Sequence, residues 1–284
     1  MGISGGPDMI QDGLVLSLDA SDRNSYVSGS ATWFDLSGNN FTGSIVSGLF
    51  NTNPSSITLN NTSYSGSIVL SVYQPSGSSL YFYPYSGSVF ATIFDTFTYN
   101  IWCQTTSSMN ITSPGTIPTE ATSGATFAGT LYGSGQYNYI IGPVYPANVD
   151  GFPPTYTTAS TGVVVGNNGI AVVEHTGAYL PGTCIYNPGN STTIGNGWNN
   201  VVVVYNNKQA SIYLNGNLVR TGLTSPKRVL MGVSIGNLTP TITGPFISYG
   251  GFRGNIGNIS YYNRALSASE ILQNYNAQKS RFNL

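Results

Sequence analysis

Apolar and polar residues alternate along the chain in short runs. Residues 97–105, FTYNIWCQT, put Phe97, Tyr99, Ile101 and Cys103 on one face, the period of two expected of a strand. Residues 13–19, GLVLSLD, alternate in the same way after Leu14. Residues 162–173, GVVVGNNGIAVV, predict two strands around an Asn168-Gly169 turn. In 198–205, WNNVVVVY, the apolar run is continuous, which marks a strand covered on both faces. Residues 211–219, SIYLNGNLV, form the clearest hairpin. Asn215-Gly216 tolerates the positive φ that a type I′ turn requires at both central positions.

The period changes once, near the end. Ser267 precedes a helical stripe of Ile271, Leu272 and Tyr275, and Glu270 stands three residues after it, so the pair predicts a capping box. Leu266 and Ile271 are spaced as a hydrophobic staple across that cap. Gln273, Asn274 and Gln278 fall on the side expected to face water. Lys279 and Arg281 lie at the C-terminal end, where cations complement the helix dipole. About three turns of helix are marginal alone, so this one must dock on the strands.

Many short strands, Gly-rich turns and a single helix predict an all-β, two-sheet antiparallel jelly-roll sandwich. Residues 1–12 read as an N-terminal arm and 13–284 as one domain. The stretch at about 106–160 departs from the pattern. It is rich in Pro, Ser, Thr, Gly and Tyr, and its only local signal is a short hairpin near 126–141. So long an irregular segment in a compact domain is a natural place for a binding surface.

Composition sharpens this picture. Only 7% of the 284 residues are charged, 40% are apolar and 12% aromatic, against roughly 25% charged in ordinary domains. A net charge of −1 gives no basic field for nucleic acid or an acidic membrane. A surface of hydroxyls, amides and 20 tyrosines suits self-association or contact with neutral polymers. Cys103 and Cys184 make neither a disulfide framework nor metal-site spacing. The N-terminal residues lack a secretory pattern, no stretch is long and apolar enough to span a bilayer, and Gly6 breaks the myristoylation pattern. A surface dressed for the outside without an export signal fits a virion component assembled in the host cytoplasm and released by lysis.

The order of motifs carries a resemblance. DGLVLSLDASDRNSY (12–26), TWFDLSGNNFTGSI (32–45), the hairpin WNNVVVVYNNKQASIYLNGNLVRTG (198–222) and FRGNIGNISYYNRALSASEI (252–271) resemble concanavalin A-like, laminin-G-like jelly-roll domains of tailed-bacteriophage structural proteins. The resemblance covers the first fifty and last ninety residues closely, with a further stretch at 163–176. It implies two antiparallel sheets packed face to face, with the chain ends close together.

Glycoside hydrolysis needs two carboxyl groups about 5–9.5 Å apart, and the family's Glu-x-Asp-x-Glu signature is absent. Glu120, Glu174 and Glu270 are far apart in sequence, and Asp19 and Asp22 suit Asx turns. His175 adjoins Glu174, but neighbours on a strand point to opposite faces, and no Gly-x-Ser-x-Gly elbow is present. Calcium, held by some laminin-G-like domains, could draw on Asp35, Asn39 and Asn40. Those few ligands fall short of six to eight oxygens, so an Asx turn is the preferred reading. Trp33 and Trp198 read as core or core edge. No catalytic residue and no cofactor is therefore expected. The leading expectation is a non-enzymatic virion structural protein, in capsid decoration or in a tail or fibre, homo-oligomeric and packed against other virion proteins. The alternative is a lectin-type adhesin for host surface polysaccharide, with Tyr132, Tyr137, Tyr139, Tyr145 and Tyr156 as contacts. A glycoside hydrolase is disfavoured.

Overall fold

The computed structural model describes residues 8–46, 48–52, 55–60, 67–70, 73–75, 82–84, 89–110, 117–124, 137–143, 157–176, 179–187, 194–236 and 251–284. Two antiparallel sheets pack face to face, with one α-helix at the C-terminus. The front sheet runs in the order Asn217–Thr224, Gln209–Leu214, Asn199–Asn206, Phe97–Thr105, Arg253–Tyr262, Ser55–Asn60 and Gly48–Thr52. Arg253–Tyr262 is long enough to serve two partners on one edge. Its first residues pair with Ser55–Asn60 and its last with Leu14–Asp19. The back sheet runs Gly182–Tyr186, Gly169–His175, Thr158–Gly166, Tyr139–Gly142, Ser234–Ile235, Ser67–Leu70, Thr42–Val46 and Thr32–Phe34. Arg228–Leu230 adds a short parallel pairing to the start of Thr158–Gly166.

The alternation seen in the sequence fills the space between the sheets. Phe97, Tyr99, Ile101 and Cys103 meet Val201, Val203 and Tyr205 from the next strand and Val163, Val165, Ile170 and Val172 from the opposite sheet. The run 199–206 is covered on both sides, because Val202 and Val204 pack outward under the helix. Asn215 and Gly216 take φ of 51° and 81°, as the type I′ turn demands. The hairpin in 158–175 turns one residue earlier than predicted. Gly166 pairs with Gly169, leaving Asn167 and Asn168 as the turn. Gly169 opens the return strand, and only glycine fits there, since a Cβ would lie 2.4 Å from the Tyr186 carbonyl oxygen. Within the Tyr-rich stretch, Tyr139–Gly142 is an inner strand of the back sheet, not part of a local hairpin. Residues 126–136 of that predicted hairpin lie outside the described residues.

The helix spans Ala268–Gln278 and lies on the outer face of the front sheet. The Ser267 side chain accepts from the Glu270 N–H, and the Glu270 carboxylate accepts from the Ser267 N–H at 2.8 Å, closing the predicted capping box. Leu266 and Ile271 share one apolar cluster, as a staple should. Arg264 clamps Glu270 at 2.6 Å and, with the Ser267 N–H, lowers its pKa to about 2. The polar side of the helix differs from expectation. Asn274 and Gln278 are buried, whereas Leu272 is exposed. Asn274 is drawn inward by a ring of hydrogen bonds. Its oxygen accepts from the Ile10 N–H at 2.8 Å, its Nδ2 donates to the Tyr262 hydroxyl at 3.1 Å, and that hydroxyl donates to the Ile10 carbonyl at 3.0 Å. The ring ties the first described residues, the last strand and the helix together, so the two ends of the sandwich chain are adjacent.

Candidate ligand surface

Helix docking divides the outer face of the front sheet. Its covered half holds Trp102, Val202, Val204, Tyr262 and a buried polar layer that includes Asn100, Asn200 and Ser260. The tail after the helix closes this half. Phe282 stacks on Trp102 at 4.3 Å and tilts against Trp198 at 4.7 Å. Gly257 makes room for it, since a Cβ there would lie 2.6 Å from the Phe282 ring. Arg281 pins the tail by donating from both terminal nitrogens to Asp19, at 2.7 and 2.8 Å. Burial alone would raise the Asp19 pKa, but this guanidinium carries it below the usual carboxylate value.

Beyond Phe282 the helix and its tail no longer cover the face, and its side chains are partly exposed. Strand register puts Asn255 opposite Gln104 on one side and Thr58 on the other. Trp198 directly precedes the strand that pairs Asn199 with Cys103, so it flanks Gln104. With neighbouring strands ~4.8 Å apart, the row from Trp198 to Thr58 spans ~14 Å. Its polar members bond to one another. Asn51 donates to Thr58, and Thr58 donates to Asn255 Oδ1 at 2.5 Å. Asn255 Nδ2 donates to Gln104 Oε1 at 2.8 Å, and Gln104 Nε2 donates to the Asn196 carbonyl at 2.8 Å. Asn51, Thr58, Asn255 and Gln104 are half-buried, and Asn196 is exposed. Each amide has two donor hydrogens and two acceptor lone pairs. The ladder therefore fixes the side-chain orientations and leaves further hydrogen-bonding positions facing solvent. That is a preorganised, uncharged array for reading hydroxyl groups.

The residues singled out by sequence lie elsewhere. Tyr137 and Tyr139 are 4% and 1% exposed, packed with Met109, Val164, Ala171, Val173 and Leu180 on the outer side of the back sheet. This corrects the expectation that their rings contact a partner: Tyr139 opens a fully buried strand and Tyr137 is bridged to Asn110, so both rings pack into the cluster. Tyr132, Tyr145 and Tyr156 lie outside the described residues. Trp33 is fully buried, while Trp198 keeps 9% exposure at the rim of the open row. Asp35 acts as a turn anchor: one oxygen accepts from the Ser17 and Ser37 N–H groups, at 2.8 Å each, and the other from the Ser37 hydroxyl at 2.7 Å. Asn39 turns its amide nitrogen to the Val15 carbonyl. Among the described residues no three His, Cys, Asp or Glu side chains gather as a metal site, and no helix is long and apolar enough to cross a membrane.

The acids are likewise committed. Glu120 accepts from Arg220 at 2.5 Å and from the Ile185 N–H at 2.8 Å. Burial would raise its pKa, but these partners hold it low. Glu174 points between the sheets and His175 away from them, both buried. Glu174 accepts hydroxyls from Tyr205 at 3.1 Å, Tyr179 at 3.2 Å and Ser225 at 2.5 Å. Burial outweighs those hydroxyls and raises its pKa.

The family model for the concanavalin A-like lectin/glucanases superfamily (Laminin_G_3) matches residues 76–272, well over half of the chain. The chain belongs to this superfamily. The match takes in the strands of both sheets from Phe97 onward and the first turn of the C-terminal helix. Solved structures share the architecture at low identity. Botulinum neurotoxin type C, which interacts with two ganglioside molecules, is 14% identical with a TM-score of 0.57. The match covers 94% of this chain and 52% of that one. The binding domain of botulinum neurotoxin DC in complex with SialylT is 14% identical with a TM-score of 0.53, at the same coverages of 94% and 52%. The binding domain of Paraclostridial Mosquitocidal Protein 1 is 15% identical with a TM-score of 0.50, again covering 94% of this chain and 52% of that one. The superfamily chain described here thus spans about half the length of these relatives in fold. No curated protein sequence matches it.

Proposed function

We propose that this domain is a non-enzymatic carbohydrate-binding module whose ligand lies along the Trp198–Gln104–Asn255–Thr58 row. The carrying observation is the cross-strand ladder of amides and hydroxyls on the half of the front sheet that the helix leaves open. Sugar hydroxyls need donors and acceptors side by side, and an amide supplies both from one rigid plane. The low charge of the chain supports recognition by such neutral groups. Ganglioside and SialylT binding by the botulinum neurotoxins of similar fold supports the same reading. The non-catalytic part rests on the acids: Glu120 is clamped by Arg220, Glu174 is sealed under hydroxyls and Glu270 holds the helix cap.

Replacing Gln104 and Asn255 together by Ala should abolish binding on a glycan array while leaving the unfolding midpoint within a few degrees. Binding that survives the double substitution would remove this row as the site.

The setting we propose is the particle of a tailed phage, as a decoration, tail or fibre component that presents this face outward. Support comes from the motif order at residues 12–45 and 198–271. Peptides of this chain should appear in mass spectra of purified particles, and their absence would sink the assignment.

A further inference from the structure

Among the nine Lys and Arg residues, Arg253 is held differently from the rest of its type. Arg220, Arg264 and Arg281 each grip a carboxylate, and Arg228 lies over the Phe94 ring at 3.4 Å. Arg23 is exposed. Arg253 is half-buried, its Nε is shielded from solvent without a hydrogen-bond partner, and no described carboxylate lies within ion-pair distance. Its backbone is firmly placed, since its N–H donates to Asn138 Oδ1 at 2.6 Å and its carbonyl accepts from the Thr106 N–H at 3.0 Å.

Position gives this cation its meaning. Arg253 and Asn255 are two apart on one strand, so they share a face. That face is the outer one, because the intervening Gly254 lies opposite Leu59, which is core. The guanidinium therefore stands one step along the sheet from the amide row. A cation partly withdrawn from water, with a shielded Nε and no described counter-charge, is unfavourable, and an incoming anion would relieve it. Among the described residues none is bonded to the guanidinium, so it can turn its planar fork to a carboxylate without breaking a bond to them.

We infer that this surface selects carboxylate-bearing saccharides, with Arg253 pairing the acid group and Gln104 and Asn255 reading adjacent hydroxyls. The inference rests on the glycan-binding reading above and adds the charge class of the ligand. A neutral sugar would satisfy the amides and leave Arg253 unpaired. A carboxylated one satisfies both, and its attraction to this half-exposed cation weakens as salt screens it.

The test measures binding of the full chain to alginate, colominic acid and dextran by calorimetry, for the unaltered protein, Arg253→Gln and the Gln104→Ala/Asn255→Ala pair. The unaltered protein should prefer an acidic polymer over dextran by about tenfold or more, as befits a charge-assisted pair. Arg253→Gln should erase that preference, keep the dextran affinity and leave the unfolding midpoint unchanged. Whichever acidic polymer binds more tightly identifies a uronic or a sialic acid as the source of the carboxylate. Equal affinity for dextran and both acids, or a preference that persists in Arg253→Gln, overturns the inference. In that case loss of all binding in the Gln104/Asn255 pair keeps the glycan reading intact. Failure of the unaltered protein to bind any of the polymers overturns both.

Discussion

A chain ending at residue 266 should fail to accumulate as a soluble, cooperatively folded protein. The helix and its tail are the cover for Trp102, Tyr262, Val202 and Val204, none more than 6% exposed. Truncating a single buried aromatic residue costs about 3–5 kcal/mol, and the deletion uncovers several large side chains together. Whole-domain stability is only about 5–15 kcal/mol. The deletion also takes Arg281 from Asp19 and breaks the Ile10–Asn274–Tyr262 ring, so the first strand loses its anchor as well. A fresh apolar face on a chain with net charge near zero invites association. Expression yield in the soluble fraction and urea unfolding followed by tryptophan fluorescence would check this. A monomeric truncated chain with an unfolding midpoint within a few degrees of the full chain would contradict it.

That dependence shows which features the sequence carries on its own. The cap, the staple and the Asn215-Gly216 turn are local, encoded within a few residues, and the structure reproduces them. The burial of Asn274 depends on Ile10, which lies 264 residues away. No helical period can reveal such a partner, so the period alone places this amide towards water and Leu272 towards the core. The same limit applies to the candidate site. Trp198, Gln104, Asn255 and Thr58 come from four separate places in the chain and meet only through strand order. Each looked ordinary alone in a sequence crowded with Asn and Thr. The signal that could have found them is pairwise: Gln104 continues the outward set of the well-predicted strand 97–105, and Asn255 continues that of the last strand. The tyrosines drew notice by number instead, and Tyr137 and Tyr139 turned out to be packing.

Glu174 should prove the most consequential single side chain for stability, and its two simplest replacements should behave in opposite ways. Glu174→Ala removes the acceptor for Tyr205, Tyr179 and Ser225, two of which are buried. Each buried hydroxyl left unsatisfied costs about 1–3 kcal/mol, and the vacated space adds a cavity penalty. A loss of about 3–5 kcal/mol is expected, read as a shift in the urea midpoint. Glu174→Gln keeps the shape and one acceptor oxygen while removing the charge. Because burial raises the folded-state pKa of Glu174 above its ordinary value of 4.5, the folded protein binds this proton more tightly than the unfolded chain does. The resulting stabilisation is complete below about pH 4.5 and declines as pH rises towards the folded value. Tyr179 and Tyr205 stay protonated throughout, their own pKa values raised by burial and by this carboxylate. Lys227 lies 4.7 Å above the Tyr179 ring and is the cation facing this cluster among the described residues. The stability of Glu174→Gln relative to the unaltered protein should therefore rise with pH from about 4.5 and then level off. A difference that stays flat with pH would mean the carboxyl is as well solvated inside the sandwich as in the unfolded chain. An Ala variant within about 1 kcal/mol of the unaltered protein would mean the three hydroxyls do not depend on it.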